Sequence, residues 1–333
     1  MPKMSYGLCY QGSKNRIATL IMNELPAGTR FVDLMAGGCA MTHAAMLSGK
    51  YDKVLCNDKY PFGSRLFRMV VNGELSDPKY LRWISREEFH AKKNTDPFVR
   101  LVFSFGNNGS NYMYGHDSEP LNKAFHYAVV FNDWRYLEQY AKENNWKEGV
   151  IDSMKKSVEG LDGIDERRRE LNKQATISGL QERVARILPN LSRKTRLDEL
   201  YVSMNGLEKI DIEYTEADYL DYQHEEGDVV YCDPPYCGYE GYIGTEPFDH
   251  EAFYDWLRTR DYPVYFSEYT APEDFVSIWE KDIVRKFSGG AGGSVGSIAG
   301  RPKATEHLYI HRKWLNGEIE RIVEQIVQGG ELK

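Results

Sequence analysis

The feature that most constrains the fold is a strand–glycine–helix–strand order near the start of the chain. An apolar segment, Phe31-Val32-Asp33-Leu34-Met35, runs into Ala36-Gly37-Gly38, and a second one, Lys53-Val54-Leu55-Cys56, ends at Asn57-Asp58. This is the order of a βαβ unit, which binds a nucleoside at the carboxyl ends of its strands. It therefore predicts an α/β fold with a ligand site at one edge of a mostly parallel sheet.

Strand patterns return only after residue 200, as Tyr201-Val202-Ser203-Met204, Asp228-Val229-Val230-Tyr231-Cys232, Val264-Tyr265-Phe266-Ser267 and Glu306-His307-Leu308-Tyr309-Ile310. The stretch between is rich in aromatic and charged residues and shows helical spacing towards its end. A length of 333 residues allows about two domains. We therefore predict a domain built from residues 1–60 and 200–333, with residues 61–199 inserted as a largely helical second domain. A glycine-rich tract at 288–300 and a C-terminal amphipathic helix complete the chain.

The sharpest chemical signal follows the strand at 228–232, which delivers Asp233-Pro234-Pro235-Tyr236 to its carboxyl end. The two prolines remove backbone donors and stiffen the turn, so that carbonyl oxygens are presented as acceptors. A carboxylate beside a carbonyl can accept both hydrogens of a flat exocyclic amino group, and Tyr236 can stack on the ring that carries it. The segment therefore suits a base with an amino group, and a turn without a ligand is the alternative.

Asp233-Pro234-Pro235-Tyr236 resembles the catalytic motif of DNA amino-methyltransferases. Tyr10-Gln11-Gly12-Ser13-Lys14 resembles their N-terminal motif, and the segment 31–39 resembles their glycine loop, with Met35 and Cys39 departing from its usual F-x-G-x-G. The order of the motifs is that of the alpha group, which includes Dam-type adenine methyltransferases. Trp83-Ile84-Ser85-Arg86-Glu87-Glu88-Phe89 and Ser104-Phe105-Gly106-Asn107-Asn108-Gly109 resemble the bacteriophage branch of that group.

The resemblance implies a Rossmann-like S-adenosylmethionine-dependent methyltransferase fold with an inserted target-recognition domain. It implies S-adenosyl-L-methionine as the cofactor, S-adenosyl-L-homocysteine as the product, no metal, and a flipped adenine in double-stranded DNA as the substrate. The implied cofactor residues are Tyr10, Gly12, Ser13, Lys14, Asp33, Leu34, Met35, Ala36, Gly37, Asp58, Asp218, Tyr219 and Asp233. For two of them the sequence leaves an alternative: Asp218 could cap a helix, and Lys14 could be a solvated lysine at a helix start.

A formal net charge of −8 means that DNA must be held by local basic surfaces. Residues 165–196 carry nine Lys or Arg against four Asp or Glu, and residues 285–313 carry six against one. The glycine tract could close over DNA or form a simple hairpin tip. Amide edges and flat rings suit base readout and stacking. The candidate DNA-binding residues are Asn107, Asn108, Tyr112, Tyr114, Arg167, Arg168, Arg169, Arg301 and Lys303.

Other classes of protein fit the sequence less well. Five cysteines without a C-x-x-C pair argue against a disulfide framework and a zinc site. The sequence has no bilayer-length apolar run and no signal-peptide pattern, so we expect a cytoplasmic protein, in bacteria or a phage-infected host, as a monomer or weak dimer. An RNA or protein amide methyltransferase and a non-catalytic module that binds DNA and cofactor remain as alternatives.

Overall fold

The computed structural model describes residues 5–10, 12–178, 187–204, 210–237, 247–284 and 303–315. The chain divides into two compact units, one formed by Met1–Phe67 with Leu207–Lys333 and the other by Arg68–Gly206. Among the described residues, no helix has the length and apolar character needed to cross a membrane. The predicted glycine tract and most of the predicted C-terminal helix lie outside the described residues.

The first unit is organised around one sheet. Within the described residues it has seven strands in the order β3-β2-β1-β4-β5-β7-β6. The first five pair in parallel, and β7 runs antiparallel to both of its neighbours. The strands are β1 (Arg30–Asp33), β2 (Lys53–Asn57), β3 (Asp211–Thr215), β4 (Asp228–Cys232), β5 (Val264–Glu268), β6 (Phe275–Val284) and β7 (Lys303–His311). This is the mostly parallel α/β sheet that the sequence predicts.

The main helices are, in chain order, α1 (Ala18–Glu24), α2 (Ala40–Ser48), α3 (Phe62–Val71), α4 (Arg86–Lys92), α5 (Pro97–Val102), α6 (Glu119–Phe131), α7 (Arg135–Glu143), α8 (Val150–Ser157), α9 (Ile164–Ile177), α10 (Pro189–Met204) and α11 (His250–Thr259).

Helices cover both faces of the sheet. Because side chains alternate along a strand, Phe31 and Val32 of β1 point to opposite faces. Phe31 packs in a core with Ile21 of α1 and other residues of α1 and α2. Val32 packs in a second core with Phe253 of α11. Burial on both faces explains why Phe31-Val32 of β1 and Val229–Cys232 of β4 are uninterrupted apolar runs.

The second unit is largely helical within its described residues, and two of its helices, α4 and α5, begin at residues whose side chains cap them. The Ser85 hydroxyl accepts a hydrogen bond from the Glu88 amide at the start of α4. The Asp96 carboxylate does the same for Val99 in α5, whose first residue is Pro97. Such side-chain acceptors satisfy amides that lack a partner in the helix.

The predicted strand at Tyr201–Met204 is wrong, because these residues form the last turn of α10. Leu197 and Leu200 are buried three residues apart, whereas Val202 is exposed, which is the burial of one helical face. The run Tyr201-Val202 therefore has strand-like composition without strand-like burial. Two observed strands, β3 and β6, were not predicted.

Candidate active site

Four acidic residues gather at the carboxyl edge of the sheet. β1 ends at Asp33, β4 leads into Asp233 and β5 ends at Glu268, and these three strands are adjacent and parallel. Glu306 of β7 directly precedes His307, the residue that pairs with Glu268 across the antiparallel ladder. Because ligands of open α/β sheets bind at this edge, the four acids mark the candidate site.

Lys14 lies among the residues of the Asp233–Tyr236 motif. Its Nζ donates to Asp233 Oδ1 at 2.6 Å and is 3.3 Å from Glu306 Oε1. The same ammonium lies over the Tyr236 ring, 4.5 Å from its centroid. The Tyr236 hydroxyl in turn donates to Glu306 Oε1. The Lys14 side chain is only 6% exposed, so it is a buried cation of the site and not a solvated lysine.

The protonation of these groups follows from burial and from their partners. Burial raises the pKa of Asp233, the Lys14 ammonium lowers it and Glu306 raises it, which leaves it at about 6. Burial alone would lower the pKa of Lys14, but the two carboxylates raise it above the ordinary value, so the ammonium stays charged. Burial raises the pKa of Glu268 to about 7.

A pocket with about 350 Å³ of empty space opens beside Asp233. Nine of the thirteen predicted cofactor residues line it, and Gly38, Ala40, Met41 and Tyr231 complete the lining. Leu34, Asp58, Asp218 and Tyr219 lie outside the lining. The nine are Tyr10, Gly12, Ser13, Lys14, Asp33, Met35, Ala36, Gly37 and Asp233.

The glycine loop is shaped by close backbone contacts. A Cβ on Gly38 would lie 2.4 Å from Cβ of Tyr10, and a Cβ on Gly63 would lie 1.8 Å from the carbonyl oxygen of Gly37. Neither distance is possible for real atoms, so both positions require glycine. Gly63, which was not predicted as a site residue, lets α3 approach the loop.

Two predicted acids, Asp33 and Asp58, fix the glycine loop and the start of the following helix by accepting hydrogen bonds. Asp33 Oδ2 accepts from the Thr42 amide at 2.9 Å and from its hydroxyl at 2.7 Å, near the start of α2. Asp58 Oδ2 accepts from the Gly37 amide at 2.6 Å, and its Oδ1 accepts from the Tyr60 amide. Burial raises the pKa of Asp33 to about 7 and that of Asp58 to about 6. Asp58 therefore shapes the loop without lining the pocket.

Asp218 and Tyr219 lie on a short 3-10 turn after β3. The Asp218 carboxylate caps this turn through the Leu220 amide and pairs with Lys59 at 2.9 Å. The Tyr219 ring packs edge-to-face on Trp256 of α11, with centroids 5.1 Å apart. Asp218 therefore caps a turn, which is the alternative to a cofactor contact that the sequence left open.

Glu306, Glu268 and His250 were not predicted from the sequence. Each of the two glutamates stands in or at the end of an apolar strand, the same signal that identified Asp233. His250 carries no such signal. A possible metal-ligand group is formed by Cys237, His250 and Glu268. Each offers one ligand atom, and these atoms all lie within 4.8 Å of one another.

In the second unit, two predicted base-stacking rings are buried, contrary to expectation. The Tyr112 hydroxyl donates to the Ile84 carbonyl at 2.6 Å, and the Tyr114 hydroxyl donates to Asn190 Oδ1 at 2.6 Å. Tyr112 is 6% and Tyr114 is 4% exposed, so neither ring offers a face to a base. The exposed ring nearby is that of Phe105, which is 60% exposed.

Phe105 lies on a tight turn that includes Asn107 and Asn108. The Phe105 amide donates to the Asn111 carbonyl at 2.7 Å, which closes the turn. Asn108 Oδ1 accepts from the amides of Ser110 and Asn111, so its side chain shapes the turn instead of pointing outwards. Asn107 adopts a positive φ of 59°.

The predicted arginine cluster at 167–169 is partly neutralised. Asp165 pairs with Arg168 at 2.7 Å and with Arg169 at 2.5 Å, both within α9. Arg169 is exposed, whereas Arg167 and Arg168 are half-buried. The remaining candidates, Arg301 and the side chain of Lys303, lie outside the described residues.

Comparison with known proteins gives a result that agrees with this site. Residues 10–157, somewhat under half of the chain, match the family described as D12 class N6 adenine-specific DNA methyltransferase. The match contains Tyr10, the glycine loop and Asp58 but ends before Asp233. No curated protein matches the chain at a significant level.

The mostly parallel sheet and the glycine loop give the Rossmann-like fold that the sequence predicts. The similarity of residues 10–157 to the D12 class of N6 adenine-specific DNA methyltransferases indicates that the chain is an enzyme. Methyltransferases of this kind generally use S-adenosylmethionine.

Proposed function

We propose that the chain is a site-specific, Dam-type DNA adenine methyltransferase of the bacteriophage branch. It transfers a methyl group from S-adenosyl-L-methionine to the exocyclic amino group of an adenine flipped out of double-stranded DNA. The observation that carries this proposal is that Asp233 lies beside the pocket with one carboxylate oxygen bound to an ammonium at 2.6 Å. That oxygen is already an acceptor for a nitrogen donor.

The hydrogen-bond acceptors that line the pocket suit the proposed cofactor. Asp33, Asp233 and the glycine loop line a pocket with about 350 Å³ of empty space. Buried acceptors of this kind suit a ligand that brings ammonium and hydroxyl donors. When bound, S-adenosyl-L-methionine supplies an electrophilic methyl group and leaves as S-adenosyl-L-homocysteine. The chain's own contribution is to hold the amino group in line with that methyl.

Asp233 and the Pro234 carbonyl would accept the two amino hydrogens. This arrangement favours a tetrahedral nitrogen whose lone pair points at the methyl group, and it places partial negative charge where positive charge develops. The Lys14 ammonium stands where the amino nitrogen would donate to Asp233 Oδ1. Entry of adenine therefore displaces it from Asp233, and Glu306 at 3.3 Å is the second carboxylate that keeps it paired.

Tyr236 supports base capture through its ring. Its hydroxyl is fixed by Glu306, so the orientation of the ring is set before a base arrives. Lys14 lies over this ring at a distance typical of a cation–π contact. Stacking of adenine on Tyr236 would offset part of the few kcal/mol lost when the base leaves the duplex.

The second unit supplies the proposed target recognition. Phe105 is a large apolar ring held at the surface by a closed turn, which suits insertion between bases. Arg169 offers a partly paired charge to phosphates. The other proposed DNA contacts, including Arg301 and Lys303, follow from the charge of the sequence. We further propose that the enzyme acts in the cytoplasm as a monomer or weak dimer.

The test of this function is methyl transfer from labelled S-adenosyl-L-methionine to unmethylated duplex DNA, RNA and protein, followed by analysis of the products. Methylated adenine from duplex DNA is the expected result. Methylated cytosine would change the target base, and label in RNA or protein would favour the amide methyltransferase alternative. Binding of DNA and cofactor without transfer would favour a non-catalytic module.

A further inference from the structure

We propose that His250 and Glu268 are positioning residues that fix the Asp233–Tyr236 motif by hydrogen bonds to the backbone of its loop. This inference rests on the proposed function, in which the motif captures the target adenine. Both side chains bind the backbone of the loop that carries the motif, and neither is among the residues that line the cofactor pocket.

His250 acts on the second carbonyl of the motif. Its Nε2 lies 2.7 Å from the Pro235 oxygen, and because a carbonyl oxygen only accepts, Nε2 carries the proton and donates. His250 is the first residue of α11, a helix anchored in the core by Phe253, so the donor is rigidly held. By engaging the Pro235 carbonyl, His250 leaves the Pro234 carbonyl to receive the amino group of adenine.

Glu268 binds two backbone amides, one directly after Tyr236 and one at Tyr269, whose ring contacts the Tyr236 ring. Its Oε2 accepts from the Cys237 amide at 3.0 Å, directly after the motif, and its Oε1 accepts from the Tyr269 amide at 2.7 Å. The Tyr269 ring meets the Tyr236 ring edge-on, with centroids 4.5 Å apart. Glu268 is 1% exposed, and a carboxylate buried in this way is retained only when its acceptors are used.

These contacts favour positioning over metal binding. His250 Nε2 and Glu268 Oε2 are 4.0 Å apart, and both are already bonded to the loop's backbone. While Nε2 carries a proton and donates to the Pro235 carbonyl, it has no lone pair for a metal ion.

The consequence is a specific loss of turnover when either contact is removed. A displacement of about 1 Å at a reacting group can lower the rate about 100-fold. Removing the donor in His250→Ala should therefore lower kcat by about 10- to 100-fold. His250→Gln can still donate to Pro235 and should stay within about fivefold of wild type. Glu268→Gln replaces one acceptor by an NH₂ group that faces an amide donor, and should lower kcat about tenfold.

The experiment measures kcat, KM for duplex DNA, the Kd of S-adenosyl-L-homocysteine and amide hydrogen exchange in wild type and these variants. Glu280→Gln, at an exposed position on β6, is the matched control for the Glu-to-Gln change. We expect KM and Kd to stay within about twofold, while exchange at Cys237 and Tyr269 rises at least about tenfold in Glu268→Gln.

Several results would overturn the proposal. They are an unchanged exchange rate at Cys237 and Tyr269 in Glu268→Gln, equal losses of kcat in His250→Gln and His250→Ala, or a wild-type kcat that a metal chelator abolishes. An inactive wild type would refute the proposed function instead, and the exchange measurement would still decide whether Glu268 holds the loop.

Discussion

Replacing Lys14 by methionine should move the acid limb of the pH profile of kcat/KM to higher pH. Asp233 must be deprotonated to accept an amino hydrogen, so kcat/KM falls as the pH drops through its pKa of about 6. The Lys14 ammonium, 2.6 Å away, opposes the effect of burial and lowers that pKa. Its removal should raise the pKa by about one unit or more.

The magnitude follows from the ionised fraction of Asp233. At pH 6 about half of the wild-type enzyme carries the carboxylate, whereas a pKa one unit higher leaves about a tenth. Glu306→Gln should have the opposite sign, because Glu306 raises the pKa of Asp233. In that variant the limb should move to lower pH.

The assay is kcat/KM for duplex DNA between pH 5 and 9, which reports on the free enzyme and hence on the ion pair before adenine enters. Lys53→Met, at the exposed start of β2, is the matched control. Asp33, Asp58 and Glu268 also titrate near this range and remain in every variant. Glu306 also raises the pKa of Glu268, so the comparison of Lys14→Met with wild type is the one that reports on Asp233. An unmoved limb in Lys14→Met, or shifts of the same sign in both variants, would refute the reasoning.

Three further predictions concern the ring, the loop and the DNA contact. Tyr236→Phe keeps the stacking ring but loses the hydroxyl bound to Glu306, so it should retain activity within about tenfold, while Tyr236→Ala should lose more than about 100-fold; equal losses in steady-state kinetics would exclude stacking. Gly63→Ala should weaken S-adenosyl-L-homocysteine binding by at least about tenfold in calorimetry, because its Cβ would meet the Gly37 carbonyl at 1.8 Å, whereas Gly115→Ala, with only an ordinary contact, should not. Phe105→Ala should weaken duplex binding about tenfold without changing its salt dependence, since the ring carries no charge; a flatter salt slope in fluorescence anisotropy would contradict this.

The sequence predicted the parts of the site that depend on local pattern. β4 and the motif after it were found because a buried strand, an acid and two prolines follow one another directly. The glycine loop was found in the same way, from a strand that ends on glycines. Five of the cofactor residues predicted from these two motifs line one pocket, because parallel strands bring their carboxyl ends to one edge.

The parts that were not predicted depend on contacts between distant segments. Lys14 was predicted as a cofactor residue, but its ion pair with Asp233 was not, because the two residues are 219 positions apart in the chain. Glu306 reaches the site only because β7 runs antiparallel to β5. Tyr112 and Tyr114 suggested base contacts by their composition, but a tyrosine ring is also a good core residue when its hydroxyl finds an internal acceptor.

The central claim is that Asp233 accepts the amino group of adenine during methyl transfer, and a comparison of wild type with Asp233→Ala tests it most directly. Single-turnover transfer from labelled S-adenosyl-L-methionine to unmethylated duplex DNA is measured beside binding of S-adenosyl-L-homocysteine and thermal unfolding. We predict methylated adenine from wild type and none from Asp233→Ala, with cofactor binding within about fivefold and an intact fold. Retention of more than about a tenth of the wild-type rate by Asp233→Ala would contradict the account.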